Sequence, residues 1–188
     1  AALLEAAEKR YHGGSPVMTA WLKLQRGQVA LDRGRLDEAL ALFRLASDEM
    51  PGWWLVDEHI AEVLLLTGDA SGAKTLYENI VVRTDAPEFL DALAGIEMQA
   101  GNAAHAQQLI ARAASGYKQR MAAFPEAAAG HMVDHALKYS ADARMVLQVA
   151  QRNFDARPYG ESAIALAQAN LLAGRPDVSA RLINAQLA

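Results

Sequence analysis

The sequence predicts an all-α fold in which antiparallel helix pairs are stacked as an α-solenoid. Three observations lead to this prediction: an apolar content of 52% that is mostly Ala and Leu, an aromatic content of only 6%, and a helical pattern that recurs about every 34 residues. Ala and Leu are the best helix formers. A period in this range is typical of proteins built from repeated helical units.

Composition narrows the function classes. The net charge is −4 without any block of like charges, and this argues against nucleic acid as a partner, because phosphate binding needs a concentrated basic surface. The chain has no cysteine, so disulfides, thiol catalysis and zinc–cysteine sites are excluded. Purely apolar stretches such as 63–66 are far too short for membrane insertion. We expect a soluble protein, and the sequence leaves its compartment open between cytoplasm and periplasm.

The first residues, AALLEAAEKRY, have a helical pattern and no initiator Met. Acidic residues interrupt them, so they do not resemble a signal peptide. We therefore expect residues 1–18 to form an N-terminal helix and linker that end a preceding repeat. The hypothesis that follows is a processed or trimmed chain that begins inside a helix at Ala1.

The repeat is clearest in the segment 34–51, GRLDEALALFRLASDEMP. Its anchors Gly34, Ala39, Phe43 and Ala46 recur 34 residues later as Gly68, Ala73, Tyr77 and Ile80, and 33 residues further on as Gly101, Ala106, Ile110 and Ala113. Weaker copies are anchored by Ala141, Val146, Ala150 and Pro158, and by Gly174, Ser179 and Ile183. Similar helices in an irregular bundle are the alternative, but three sets in phase favour a true repeat.

Each anchor type has a physical reason. The glycine ends one helix where the chain turns sharply, and such turns favour positive φ. Asp69 and Asn102 directly follow a glycine and are predicted to cap the next helix. The small residue allows two helices to approach closely, and the large residue four positions later fills the space beside it.

These anchors divide the chain into a solenoid over 19–188 with repeats at 19–52, 53–86, 87–126, 127–159 and 160–188. All six prolines lie between helical patterns or at a helix start, which supports these boundaries. The interval from Gly101 to Ala141 is 40 residues, and the excess falls in 115–126. We interpret it as a longer second helix in the third copy, ending before Pro125.

The pattern resembles the tetratricopeptide repeat (TPR). The matching residues are Gly27, Gly34, Ala39, Phe43, Ala46 and Pro51 in the first copy, and Ala61, Gly68, Ala73, Tyr77 and Ile80 in the second. The resemblance covers roughly residues 20–188. The first copy departs from the family pattern at Lys23 and Arg26, which stand at usually apolar places, and the fourth at Asp134, where a small residue is usual. The stretch PEFLDALAGIEMQAGN also resembles a group of bacterial TPR proteins.

The resemblance implies a right-handed superhelix whose first helices line a concave groove that binds a protein or peptide segment. The resemblance implies that the following residues line this groove and bind the partner: Trp21, Leu24, Gln28, Leu31, Leu55, Glu58, Glu62, Leu65, Glu88, Asp91, Met98, His131, His135, Lys138 and Gln168. Gly95, Glu161, Ile164 and Leu171 are further inward positions.

The implied groove is apolar at its start and acidic in its middle, through Glu58, Glu62, Glu88 and Asp91. It lacks the Lys/Arg carboxylate clamp of chaperone-tail-binding members of the family. The hypothesis is a partner segment with basic and apolar residues, bound with a free energy on the order of −8 kcal/mol. The alternative is that these acids only keep the surface soluble.

No motif for phosphate binding, nucleophilic catalysis or a metalloprotease appears, so we predict no enzyme activity and no cofactor. His131 and His135 lie one helical turn apart and share a face with Asp134, a spacing that can hold a divalent metal, but no third ligand is visible nearby. The interpretation preferred here is a pair of partly exposed histidines with Asp134 as their hydrogen-bond partner. Trp53 and Trp54 are interpreted as packing residues between repeats rather than as an exposed anchor.

Two function classes remain from the sequence. The first is a non-enzymatic adaptor that binds other proteins, and the second is a regulatory or accessory segment of a larger enzyme or transport assembly. A His-based metal-binding module is a third hypothesis. Solenoids with uncapped ends can self-associate, and the turn at 183–187 is a candidate for such an end.

Overall fold

The computed structural model describes residues 2–187, and these residues form helices and no strands. The helices are α1 (Ala2–Arg10), α2 (Pro16–Leu31), α3 (Leu36–Glu49), α4 (Trp54–Leu66), α5 (Ala70–Thr84), α6 (Pro87–Gln99), α7 (Ala103–Ala123), α8 (Pro125–Tyr139), α9 (Ala143–Ala156), α10 (Gly160–Leu172) and α11 (Pro176–Leu187). The all-α prediction is confirmed. The expected start at Ala1 lies outside the described residues.

The chain divides into two compact units, Ala1–Asp85 and Ala86–Ala188. In unit 1, α2 packs against α3 and α4 against α5. In unit 2, the pairs are α6 with α7, α8 with α9, and α10 with α11. Consecutive helices in each pair are joined by short turns and are therefore antiparallel, as the repeat pattern predicts.

Four of the five pairs turn at a glycine with positive φ: Gly34 at 69°, Gly68 at 90°, Gly101 at 81° and Gly174 at 72°. In each turn, the backbone N–H that follows the glycine donates to the carbonyl five residues before it, at 2.8 to 2.9 Å. This hydrogen bond closes a helix with a left-handed residue. The predicted role of the repeat glycines is confirmed.

The pair α8 and α9 turns differently. Ser140 is extended, and Asp142 Oδ1 accepts from the backbone N–H groups of Arg144 and Met145 at 3.0 and 3.1 Å. An N-terminal cap on α9 therefore replaces the glycine turn. This difference explains why the fourth copy has the weakest sequence pattern among the first four.

The predicted caps after the glycines have different outcomes. Asp69 caps α5, because its Oδ1 accepts from the backbone N–H of Gly72 at 2.9 Å. The prediction for Asn102 is wrong. Its side chain makes no cap and donates to the buried Glu97 carboxylate at 2.6 Å, a charge-assisted hydrogen bond that joins α6 to the start of α7.

The core of unit 1 contains the predicted pair of a small and a large residue. Ala39 and Phe43 are both completely buried. Gly27 on α2 allows the Phe43 ring to approach so closely that a Cβ at Gly27 would lie 2.4 Å from it. Trp53 is half-buried against the same core, as predicted, whereas Trp54 is 40% exposed.

Helix α1 is held to α2 by ion pairs. It contains no buried residue. Glu8 forms ion pairs with Lys23 at 3.1 Å and with Arg26, and Lys23 also pairs with Glu49 at 3.0 Å. Burial alone would raise the pKa of Glu8, but hydrogen bonds from Arg26 and Lys23 hold it below its ordinary value of 4.5. The attachment of α1 thus explains why Lys23 and Arg26 stand at places that are usually apolar in the TPR pattern.

We expect Glu8→Gln to release α1 from α2 at a cost of about 1 kcal/mol in local stability. Hydrogen exchange of the amides in 2–10 measures this release. Because folding lowers the pKa of Glu8, the contribution is complete above about pH 4.5 and is lost as the pH falls through the lower folded value.

Glu5→Gln is the matched control for this prediction. Glu5 pairs with Lys9 inside α1 at 2.7 Å and does not reach α2 in any hydrogen bond or ion pair of the described residues. Equal acceleration of exchange in both variants would contradict the attachment role of Glu8.

The predicted long second helix of the third copy is present. Helix α7 has 21 residues and ends at Ala123, before Pro125. Its last turns carry Tyr117, which is buried, and Arg120, which donates to Glu88 at the start of α6 at 2.7 Å. The extra length therefore adds contacts between α7 and the first helix of its own pair.

Candidate functional site

Unit 2 contains a groove between the first helices of two neighbouring pairs, called here the α8–α10 groove. Its lining residues are Asp134, Leu137 and Lys138 from α8 and Gln168, Leu171 and Leu172 from α10, and its volume is about 600 Å³. Leu171 and Leu172 are 55% and 54% exposed. Neighbouring exposed leucines in a concave site are typical of places where proteins bind apolar side chains.

The lining of this groove carries one acidic and one basic side chain, Asp134 and Lys138, and two further carboxylates act on Asp134. Burial raises the pKa of Asp134, His131 opposes the shift, and the carboxylates of Glu161 and Asp91 raise it further. The Lys138 ammonium lies over the Tyr139 ring, 5.1 Å from its centroid. A basic group of a partner placed near Asp134 would therefore relieve repulsion between carboxylates.

Below the surface, Asp91 connects α6 to α8. Its two carboxylate oxygens lie 2.9 and 3.0 Å from His135 Nδ1. The Tyr117 and Tyr139 rings lie against the His135 ring, with centroids 5.1 and 5.4 Å away. Burial, followed by the charges of Asp91 and Glu88, raises the pKa of Tyr117. This cluster orients α8 and hence one wall of the groove.

A smaller cavity of about 270 Å³ lies where α7 meets α8. Tyr117, Arg120, Phe124 and His131 line it together with two alanines, and Phe124 is 69% exposed. Arg120 is already paired with Glu88. The cavity is therefore apolar, with one polar edge at His131.

In unit 1, a polar contact joins the first helices α2 and α4. Gln28 Nε2 and His59 Nε2 are 2.9 Å apart, and His59 Nδ1 lies 3.3 Å from Glu62. The His59 ring stacks on Phe43 at 5.2 Å between centroids. Burial, followed by the charges of Glu58 and Glu62, raises the pKa of Tyr77. The negative charge expected from Glu58 and Glu62 therefore acts on a neighbouring side chain, Tyr77.

The positions implied by the resemblance differ in exposure. Trp21, Met98, His131, Lys138 and Gln168 are exposed, and Gln28, Leu31, Leu55, Glu58, Glu62, Leu65, Glu88 and Asp91 are half-buried. Leu24 is completely buried in the unit 1 core, and His135 is 6% exposed. Neither side chain offers surface to a partner, because each already packs against its own unit.

The expected environment of the histidines needs correction. His135 is buried rather than partly exposed, and its partner is Asp91 rather than Asp134. His131 is exposed and faces the smaller cavity. Within residues 2–187, no group of three or more His, Cys, Asp and Glu residues is placed to hold a metal ion.

Three residues that line the two cavities of unit 2 were not expected from the sequence: Leu172, Leu137 and Phe124. Leu172 follows the inward position Leu171, and two adjacent leucines at a helix end could have signalled a wider apolar surface. Phe124 stands before Pro125, and a large aromatic residue in a helix connection could have signalled exposure. Leu137 could not be assigned to a groove from the sequence, because the residues that face it come from another helix, α10.

The helix pairs, the glycine turns and the small–large packing are those of a TPR fold. No protein-family model matches the chain, and no curated protein matches it either. No helix within residues 2–187 has both the length and the apolar character of a membrane-spanning segment.

Solved structures agree with this fold. The chain is similar to TTC0263, a thermophilic TPR protein of Thermus thermophilus, with a TM-score of 0.70 and 20% identity over 89% of this chain and 90% of that one. It is also similar to a chain of the Cut9–Hcn1 hetero-tetramer of APC/C, with a TM-score of 0.62 and 17% identity, over 99% of this chain and 35% of that one. Nearly identical TPR-like repeats from Podosopora anserina give a TM-score of 0.53 at 13% identity, over 94% and 96% of the two chains. The prediction of a TPR solenoid is confirmed.

Proposed function

We propose that this chain is a non-enzymatic scaffold that binds a segment of a partner protein, and that the α8–α10 groove of unit 2 is its main recognition site. The observation that carries the proposal is the pair of half-exposed leucines, Leu171 and Leu172, in a concave groove of about 600 Å³. Helices that expose neighbouring leucines in a concave surface usually cover them with a partner.

The partner segment is proposed to be apolar and basic. Leu137, Leu171 and Leu172 provide the apolar contact, and Asp134 with Glu161 provides negative charge beside it. Glu88 and Asp91 contribute less to this attraction than the sequence suggested, because Arg120 and His135 already pair with them. In unit 1, Glu58 and Glu62 are proposed to give a separate binding surface the same preference for basic segments.

The test is selection of peptides from a random phage-displayed library on the immobilised chain, followed by fluorescence anisotropy of the enriched peptides. We expect sequences that combine Leu or Phe with Lys or Arg. The double variant Leu171→Ser, Leu172→Ser and the single variant Asp134→Lys should each weaken the affinity about tenfold, equivalent to about 1.4 kcal/mol.

Val82→Ser is the control, because Val82 is 86% exposed on α5 of unit 1 and is not among the residues that line the groove. Far-UV circular dichroism verifies that every variant remains folded. Absence of basic and apolar peptides from the enriched set, or affinity for them that survives both groove variants, would overturn the proposal.

A second role uses the same groove within a larger assembly. The likeness to a chain of the Cut9–Hcn1 hetero-tetramer covers 35% of that chain, so a helix array of this length also occurs as part of a longer one. In that role the chain would be an accessory segment of an enzyme or transport assembly, and the self-association expected at 183–187 would become a contact between neighbouring segments.

A further inference from the structure

A second groove lies on unit 2, away from the α8–α10 groove, and is called here the α9–α11 groove. Helices α9 and α11 both pack against α10 and leave between them a cleft of about 550 Å³. Its lining residues differ from those of the α8–α10 groove throughout. Any ligand of this cleft therefore contacts a separate set of side chains.

The walls of this cleft are two facing apolar stripes. Leu147 and Phe154 are seven residues apart on α9, and Val178 and Leu182 are four residues apart on α11, so each pair lies on one helix face. All four side chains are half-buried. Leu166 and Asn170 of α10 line the cleft between the two stripes, and the Asn170 side chain donates to the Leu166 carbonyl of its own helix at 2.9 Å.

One end of the cleft is basic. Arg144 lies on α9 three residues before Leu147, and Arg175 lies in the turn directly before α11, three residues before Val178; both line the cleft. Helices α9 and α11 are both antiparallel to α10, so these two arginines lie at the same end. Both are exposed, and neither side chain has a hydrogen bond or ion pair within the described residues.

No carboxylate lines the cleft. Two acids lie near the basic end in sequence: Asp142 is engaged with the backbone N–H groups at the start of α9, and Asp177 is exposed in the first turn of α11. The cleft therefore presents two apolar stripes, the polar side chains of Gln148 and Gln151, and two unpaired guanidinium groups at one end. Arginine binds carboxylates in a planar, two-pronged geometry.

We propose that the α9–α11 groove docks an amphipathic segment of a partner protein whose apolar face lies between the stripes and whose carboxylates pair with Arg144 and Arg175. Charge complementarity identifies this occupant, which is opposite in charge to the basic segment proposed for the α8–α10 groove. The chain would then hold two segments of opposite charge at once, one on each groove. This inference does not depend on the function proposed for the first groove.

The probes for the experiment are two fluorescein-labelled synthetic peptides of about five helical turns. One carries leucines on one face and glutamates on the other, and its twin has lysine at every glutamate position. In the full chain carrying Leu171→Ser, Leu172→Ser, which disables the α8–α10 groove for the lysine twin, fluorescence anisotropy should show tighter binding of the glutamate peptide than of the lysine peptide. The affinity of the glutamate peptide should fall as the salt concentration rises.

The double variant Arg144→Glu, Arg175→Glu should weaken binding of the glutamate peptide tenfold or more. The matched control is Arg10→Glu, Arg33→Glu, which makes the same change in net charge at exposed residues of unit 1. It should change the affinity less than threefold. The variant Leu171→Ser, Leu172→Ser should leave binding of the glutamate peptide unchanged.

Three outcomes would overturn the proposal. The first is unchanged affinity in Arg144→Glu, Arg175→Glu, and the second is an equal loss in the unit 1 control, which would indicate a general effect of net charge. The third is binding of phosphatidylserine vesicles that the same arginine variants abolish while the glutamate peptide fails to bind, which would make a lipid surface the occupant. Circular dichroism verifies that each variant keeps its helices.

Discussion

Gly27→Ala should destabilise unit 1 by about 1–3 kcal/mol, although alanine is normally the better helix residue. The added Cβ would lie 2.4 Å from the Phe43 ring, which is completely buried and cannot move aside without disturbing Ala39 and Ala46 beside it. Chemical denaturation followed by tryptophan fluorescence measures this effect in unit 1, because all three tryptophans lie in residues 1–85.

A rescue variant and a matched control test the cause. Phe43→Leu should cost about 1 kcal/mol alone, and Gly27→Ala in that background should cost much less than in the native chain, because the smaller side chain leaves room. Gly95→Ala is the control, since its Cβ would meet only the end of the flexible Lys138 side chain at 3.4 Å. It should be neutral or slightly stabilising in thermal melts. Strict additivity of Gly27→Ala and Phe43→Leu would contradict the steric explanation.

The second large effect is expected at the Asp91–His135 contact. Asp91→Ala and His135→Ala should each destabilise unit 2 by about 1–3 kcal/mol, because each leaves a mostly buried polar partner without its hydrogen bond. His135→Ala should cost more, since it also removes the ring contacts with Tyr117 and Tyr139. Hydrogen exchange of the amides in 86–187 measures this loss in unit 2 alone.

The double variant completes a thermodynamic cycle. Its cost should be smaller than the sum of the single costs by about 1 kcal/mol or more, because the contact can be lost only once. Lys138→Ala on the same helix is exposed and should change stability by less than about 0.5 kcal/mol. Costs that simply add would show that the two residues stabilise unit 2 independently.

The fold could be predicted because its signals are local. A glycine followed by a polar residue predicts a helix end from neighbouring positions alone, and Gly34, Gly68, Gly101 and Gly174 all behave as expected. The long α7 could be predicted because extra residues between two anchors must extend an element. The turn between α8 and α9 escaped the pattern, since Asp142 provides a cap that no glycine marks.

The site was less predictable, because its residues depend on partners distant in sequence. The contact of His135 with Asp91 joins residues 44 positions apart, whereas spacing along the chain favoured the adjacent Asp134. Leu24 was placed in a groove by position, but the local packing of unit 1 buries it. The α9–α11 groove left no sequence signal, since its two stripes lie on helices that do not follow each other and are ordinary amphipathic faces when considered singly.

The attachment of α1 through charge has a consequence for local unfolding. Opening of a segment depends on denaturant in proportion to the surface that it newly exposes. Because α1 buries no residue, its separation exposes little, and its opening free energy should hardly change with urea. Salt, by contrast, screens the Glu8, Lys23 and Arg26 charges and acts on α1 directly. Residues 2–10 thus form a segment whose opening is controlled by ionic strength, whereas the helix pairs beside it respond to denaturant.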